Sequence, residues 1–192
     1  TSQRLLYGPF ELDAAMKAIM QSATNLSVDQ SDHMGNSDFC AACHTLYTSP
    51  VDRDGKLSQV QFPEQVPYLE WKQSSLAAKK SCQSCHTPIA SGDAKISTLS
   101  SQARSPVSLH TFTGGNAYML RLLKDNAQDL KTTASQEQLN ASIQHTTTHL
   151  QQQTAALNIS ASQASGELNL KVKVANLTGH KLPTGFPSRR AW

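Results

Sequence analysis

The apolar positions of this 192-residue chain repeat with the period of a helix in its first part and with the period of a strand near its end. In residues 10–24, Leu12, Met16 and Ile19 recur at helical spacing, so this stretch predicts an amphipathic helix. Beyond residue 157, apolar side chains occupy every second position, which predicts a strand over 168–174. The pattern therefore predicts a mainly α chain with a short C-terminal β segment.

Capping residues place the remaining helices. A Ser or Asn before a helix supplies an acceptor for its first free N–H groups, and a Pro suits the first helical position. The predicted elements are a short helix capped by Ser37-Asp38, a helix over 63–79 starting at Pro63, a helix from about 117 to 130 capped by Asn116, and a helix from about 136 to 157 with a capping box of Ser135 and Gln138. Residues 88–115 follow neither period and are predicted to be irregular.

The β segment is predicted to be a hairpin. A partner strand over 157–162 joins the strand over 168–174 through the Ser165-Gly166 turn. Two strands are too few to close a β-sandwich. We therefore predict an α-helical domain over 1–156 and, over 157–192, the start of a β region that is truncated.

Composition adds that the supply of apolar side chains is thin. Only 38% of the residues are hydrophobic and 16% are charged. A large planar cofactor buried between helices would supply the missing apolar surface, and its burial would contribute about 25 cal/mol per Å².

The net charge is +3 with scattered basic residues, so no nucleic-acid partner is predicted. No apolar run reaches the roughly 18 residues of a transmembrane helix.

All four cysteines fall in two C-x-x-C-H pentads, Cys40-Ala41-Ala42-Cys43-His44 and Cys82-Gln83-Ser84-Cys85-His86. Thiols three positions apart on a helical turn both reach the vinyl groups of one porphyrin, and the next His points its imidazole at the iron. The sequence therefore predicts two covalently bound haem c groups. Their thioether bonds are assigned to Cys40, Cys43, Cys82 and Cys85, and their proximal iron ligands to His44 and His86.

Two other uses of paired cysteines fit less well. A thioredoxin-like redox pair sits in a βαβ pattern, which is missing here. A structural zinc site usually separates its two pairs by about 15 to 20 residues. Cys43 and Cys82 lie much farther apart, and zinc does not explain a His after each pair. Haem is the preferred cofactor, and zinc is the alternative.

Each iron also needs a distal ligand, and the choice between His and Met matters because Met raises the potential. The first candidate is His110, which precedes a helix in a segment whose glycines let backbone approach a porphyrin closely. His180 lies in a loop framed by Gly and Pro. His33 precedes the first pentad, and for these two no local argument decides. Four methionines compete with them, namely Met16, Met20, Met34 and Met119.

His145 and His149 lie one turn apart on the predicted 136–157 helix, an arrangement that also suits a metal pair. The apolar stripe of that helix is formed by Leu139, Ile143, Leu150 and Leu157. Both histidines lie roughly 80–120° from this stripe. We therefore expect them to face water rather than iron.

Three further segments accompany the pentads: Phe62-Pro-Glu-Gln-Val-Pro-Tyr-Leu-Glu-Trp71, His110-Thr-Phe-Thr-Gly-Gly-Asn116, and Asn176-Leu-Thr-Gly-His-Lys-Leu-Pro-Thr-Gly185 with Arg189 and Arg190. In this order, over most of residues 5–192, they resemble bacterial multihaem c-type cytochromes of the cytochrome c554-related group. The resemblance implies a mainly α multihaem cytochrome fold with little regular structure around closely packed, bis-His haems. It also implies His110 and His180 as distal ligands, with His33 as a third candidate.

There are three candidate distal histidines for two irons, so one of them could bind the iron of a further haem attached to a segment upstream. The leading hypothesis is a dihaem electron carrier with low-spin haems, acting on redox partner proteins or on further haems of a longer chain. Because c-type haem is attached outside the cytoplasm, we expect a periplasmic or extracellular bacterial location. The alternatives are a dihaem enzyme, such as a peroxidase or small-molecule reductase, and a haem-based sensor, each with one open or displaceable iron site.

Overall fold

The computed structural model describes residues 4–96 and 102–184. Short helices alternate with two-stranded sheets along this part of the chain. The helices are α1 (Ala14–Thr24), α2 (Ser37–Ala41), α3 (Pro67–Lys72), α4 (Cys82–His86), α5 (Ala117–Asp125) and α6 (Gln136–His149), with a 3₁₀ turn at Asp32–Gly35 and a π-helical turn at Leu150–Thr154.

Each of the four sheets in the described residues has two strands. The strands are β1 (Leu5–Gly8), parallel to β2 (Ser27–Gln30), and three antiparallel pairs: β3 (Leu46–Thr48) with β4 (Phe62–Gln65), β5 (Ala94–Lys95) with β6 (Ala103–Arg104), and β7 (Ala155–Ala164) with β8 (Glu167–Asn176). The fold is therefore mixed helix and strand, and the predicted mainly α class is met only loosely.

Helices with strong local caps begin where the sequence predicts. Asn116 accepts a bond from the Met119 N–H at 3.0 Å and starts α5. Ser135 and Gln138 form the complete capping box of α6. The first helix begins later than predicted, at Ala14, because the Asp13 carboxylate accepts from the Met16 N–H at 2.7 Å and caps it there.

The predicted helix over 63–79 is confirmed only over Pro67–Lys72, and residues 73–79 are not helical. Residues 62–65 form β4, because their backbone pairs with β3. Pro67, rather than Pro63, stands at the start of the helix. The cap predicted before the first pentad is also wrong, since Asn36 precedes α2 and Ser37 is its first helical residue.

The C-terminal hairpin is confirmed. Its two-residue loop, Ser165-Gly166, has φ values of 54° and 81°, as expected for the tight turns that suit twisted hairpins. Six apolar side chains along the hairpin remain 56–66% exposed: Leu157, Ile159, Leu168, Leu170, Val172 and Val174. β7 begins at Ala155, close to the predicted boundary at 157. The division into two domains stays a prediction.

Little of the described chain is buried. Leu139 on α6 is the one hydrophobic side chain there with less than a tenth of its surface exposed. The other buried side chains are small and polar, namely Ser37, Thr87, Thr113, Thr146 and Thr154. Among the described residues, no helix is long and apolar enough to span a bilayer.

Candidate haem-binding site

The first pentad is wound on one helical turn. Cys40 lies in α2, and the N–H groups of Cys43 and His44 both donate to its carbonyl oxygen, at 3.2 Å and 3.0 Å. This winding brings the two thiols to the same side of the turn. The spacing that haem attachment needs is therefore built into the local backbone.

The second pentad is the whole of α4. Its N-terminus is capped by the Ser81 hydroxyl, which accepts from the Ser84 N–H at 3.3 Å. At the other end, the Thr87 hydroxyl donates to the Gln83 carbonyl at 2.9 Å. Both ends of this single turn are thus fixed by short-range bonds, although five residues alone are too few for a stable helix.

Each proximal imidazole is oriented by a protein acceptor. Nδ1 of His86 lies 2.6 Å from the carbonyl oxygen of Thr113, whose own N–H donates to the His86 carbonyl at 3.3 Å. Nδ1 of His44 lies 3.2 Å from Oε1 of Gln65. Because both acceptors are oxygens, each Nδ1 carries the proton, and Nε2 is the nitrogen available to a metal. Sequence reasoning gave no role to Gln65 or Thr113.

The loop after β8 places His180 opposite His86. Their ring centroids are 6.4 Å apart and their planes differ by 21°. A metal held at about 2 Å by two opposed imidazole nitrogens requires a centroid separation of roughly 6 Å. The centroid separation is therefore close to the value for two ligands of one iron, and the role of His180 as a distal ligand stays a prediction.

The loop that carries His180 is anchored on α3. Oε2 of Glu70 accepts from the Lys181 N–H at 2.9 Å and from the Thr184 hydroxyl at 2.6 Å. On the other side of His180, a Cβ added to Gly179 would lie 2.8 Å from Cδ1 of Trp71. Only glycine permits this close approach. No local pattern indicates the Glu70 contact, because it joins residues more than a hundred positions apart.

The other two distal candidates lie elsewhere. The ring of His110 is exposed and stacks on Phe112, with centroids 5.9 Å apart. His33 bonds to the Ser31 hydroxyl at 2.6 Å and meets the Tyr7 ring edge-on at 5.2 Å. In the described residues neither ring contacts that of a proximal histidine, so both remain predictions as ligands.

The two histidines of α6 differ in their surroundings. His145 is exposed as predicted, whereas His149 is half-buried, contrary to our expectation. Burial lowers the pKa of the His149 imidazole from its usual 6.5, and the charges of His86 and His145 lower it further. The buried stripe of α6 is centred on Leu139 and Thr146, so that His149 lies at its flank.

The two pentad helices are joined next to their first cysteines. The N–H of Cys82 donates to the hydroxyl of Ser37 at 3.0 Å, and Ser37 begins the helix that contains Cys40. Burial, together with the neighbouring Cys82 and Cys43 thiols, raises the pKa of the Cys40 thiol. Since the first cysteine of each pentad bonds to a porphyrin edge, the two haems would be attached at adjacent points.

The chain also has the exposed apolar surface that a haem would cover. Among the exposed side chains beside the pentads are Phe39 and Ile89, each about half exposed. The donor set, the axial spacing and the apolar surface all fit haem c. In the described residues, no three His, Cys, Asp or Glu side chains form a metal-binding group, so the zinc alternative gains no support.

No protein-family model and no curated protein matches this chain. A solved structure does: the penta-heme cytochrome c552 from Thermochromatium tepidum superposes on 95% of the chain with a TM-score of 0.50 and 15% sequence identity. The fold is that of a multihaem c-type cytochrome. At this identity the likeness concerns the fold alone. The chain covers 37% of the length of that neighbour.

Proposed function

We propose that this chain is a dihaem c-type cytochrome that transfers electrons. The observation that carries the proposal is the hydrogen bond that joins the two pentad helices, from the Cys82 N–H to the Ser37 hydroxyl at 3.0 Å. A haem supplies an iron that gains or loses one electron without breaking a bond. Two such groups attached at adjacent points of one chain suit the passage of electrons from one to the other.

The residues of the chain would hold and orient these groups. Cys40 and Cys43 bind the first haem with His44 as its proximal ligand, and Cys82 and Cys85 bind the second with His86. His180 supplies the distal ligand of the second haem, which makes that haem bis-His and low-spin. Thr113 and Gln65 keep the proximal imidazoles in the tautomer that binds iron.

The partners that we propose are redox proteins and further haems of a longer chain, and the proposed location is the bacterial periplasm or cell exterior. The fold neighbour carries five haems in a longer polypeptide, which supports a role within a series of haems. Attachment of haem c outside the cytoplasm supports the location.

A specific observation favours a second candidate function for the first haem. All seven histidines and all four methionines lie among the described residues. Within those residues no histidine ring contacts His44 in the way that His180 faces His86. A first haem with an open or displaceable distal position suits a small-molecule reductase, a peroxidase or a sensor.

Carbon monoxide binding to the ferrous full-length chain separates these functions. We expect CO to leave the absorption bands of both haems unchanged, because a carrier keeps its irons six-coordinate. CO binding at one haem, in a protein whose circular dichroism is unchanged, would favour the second candidate. CO binding at both haems would contradict the assignment of His86 and His180 as a ligand pair.

A further inference from the structure

The helical turn of the second pentad is hydrogen-bonded to the residues that precede the first pentad. The N–H of Cys82 donates to the hydroxyl of Ser37, 45 positions earlier, at 3.0 Å. Cys82 is the first residue of α4, so its N–H has no acceptor within that helix. Ser37 is 5% exposed and begins α2, which contains Cys40. One hydroxyl therefore joins the beginnings of the two haem-binding helices.

Gln83 makes a second connection between the same segments. Its side-chain amide donates to the carbonyl oxygens of Met34 at 3.1 Å and Asn36 at 2.8 Å. Gln83 is one of the two variable residues in its pentad, so haem attachment does not require it. Its amide oxygen is buried without a hydrogen-bond partner. Leaving a buried oxygen unpaired is unfavourable, so the two donated bonds are what hold this side chain in place.

We propose that Ser37 and Gln83 are positioning residues that fix the separation of the two haems and thereby set the rate of electron exchange between them. This inference rests on the proposed function. Neither side chain is a thioether or axial ligand, so each acts through the turn that it holds. Their three hydrogen bonds hold the first two residues of α4, Cys82 and Gln83, against the segment that leads to Cys40. A shift of α4 against α2 would therefore change the distance between the two attachment points.

Two variants of the haem-loaded chain test this. In Gln83→Glu, the carboxylate cannot donate to either carbonyl, and in Ser37→Ala the Cys82 N–H loses its acceptor. We expect exchange between the haems, measured by NMR line broadening in half-reduced protein, to slow about tenfold, an effect of the size that small displacements of reacting groups produce. The magnetic interaction between the two ferric haems, measured by EPR, is expected to weaken in the same variants. Axial ligation and haem content are expected to stay unchanged.

Gln136→Glu is the matched control. The side-chain amide of Gln136 also donates to a backbone carbonyl of another helix, that of Lys124, at 3.1 Å. Gln136→Glu adds the same negative charge as Gln83→Glu. We expect wild-type exchange in this variant. Wild-type exchange in both Gln83→Glu and Ser37→Ala would overturn the proposal. So would failure of both variants to take up haem while the control loads normally, because the bonds would then serve assembly alone.

Measurements on the wild-type protein distinguish failure of this proposal from failure of the proposed function on which it rests. A wild-type chain that does not hold two haems contradicts the proposed function. A wild-type chain with two haems and no magnetic interaction between them overturns the inference on Ser37 and Gln83 and leaves haem binding intact.

Discussion

Replacing His180 by alanine is expected to convert the second haem from low-spin to high-spin. The substitution removes the imidazole whose ring centroid lies 6.4 Å from that of His86, which we propose as the distal ligand of this iron. About half of the total haem is expected to change, since one iron of two is affected. EPR of the ferric protein measures the loss of the low-spin signal, and CO binding to the ferrous protein is expected to increase by one equivalent per chain.

His110→Ala is the matched control, because His110 was the first distal candidate from the sequence. Its ring stacks on Phe112 and is exposed, so we expect both haems to keep their wild-type spectra. If His110→Ala produces the high-spin haem and His180→Ala does not, the ligand assignment is wrong.

The second large effect is expected at Glu70, which holds the His180 loop without contacting the iron. Glu70→Ala removes two charge-assisted hydrogen bonds, to Lys181 and Thr184, in a half-buried position. Such bonds contribute about 1.5–3 kcal/mol each at most, and partial exposure reduces this, so we expect the loop to open more easily by about 1.4 kcal/mol, or tenfold. Stopped-flow mixing of the ferrous protein with CO is expected to show binding at the second haem in Glu70→Ala, whereas the wild-type haem stays six-coordinate and does not react.

Two further variants check that the effect acts through the loop. Glu70→Gln keeps a side-chain oxygen as acceptor and is expected to react more slowly with CO than Glu70→Ala. Gly179→Ala reaches the same loop from its other side, because the new Cβ would meet Trp71 at 2.8 Å, and is expected to resemble Glu70→Ala. If Glu70→Ala is as unreactive towards CO as the wild type, Glu70 is not the anchor of the distal loop.

The elements that the sequence predicts well are those fixed by neighbouring residues. The cap at Asn116, the capping box at Ser135 and the turn at Ser165-Gly166 each act within four positions. The helix predicted from Pro63 starts only at Pro67 because residues 62–65 pair with β3, a strand 14 to 19 positions earlier. Proline fits the first turn of a helix and also the end of an edge strand, so the local signal did not distinguish the two.

The candidate site divides in the same way. Covalent attachment and the proximal ligands are predicted from adjacent residues, because each pentad contains both cysteines and the histidine. The opposition of His180 to His86 depends on a loop that returns to α3 after the hairpin, and no spacing in the sequence encodes that return. The roles of Gln65 and Thr113 also follow from long-range packing, since a single Gln or Thr in an irregular segment carries no signal of its own.

The most direct test of the central claim is the number of haems bound covalently to this chain. The chain would be expressed with a c-type haem maturation system, purified, denatured and measured by intact mass spectrometry, with a pyridine haemochrome assay on the same sample. We expect a mass increased by two haem groups, two haemochrome equivalents per chain and no free thiol. A chain that retains four free thiols, or that carries zinc and no covalent haem, would contradict it.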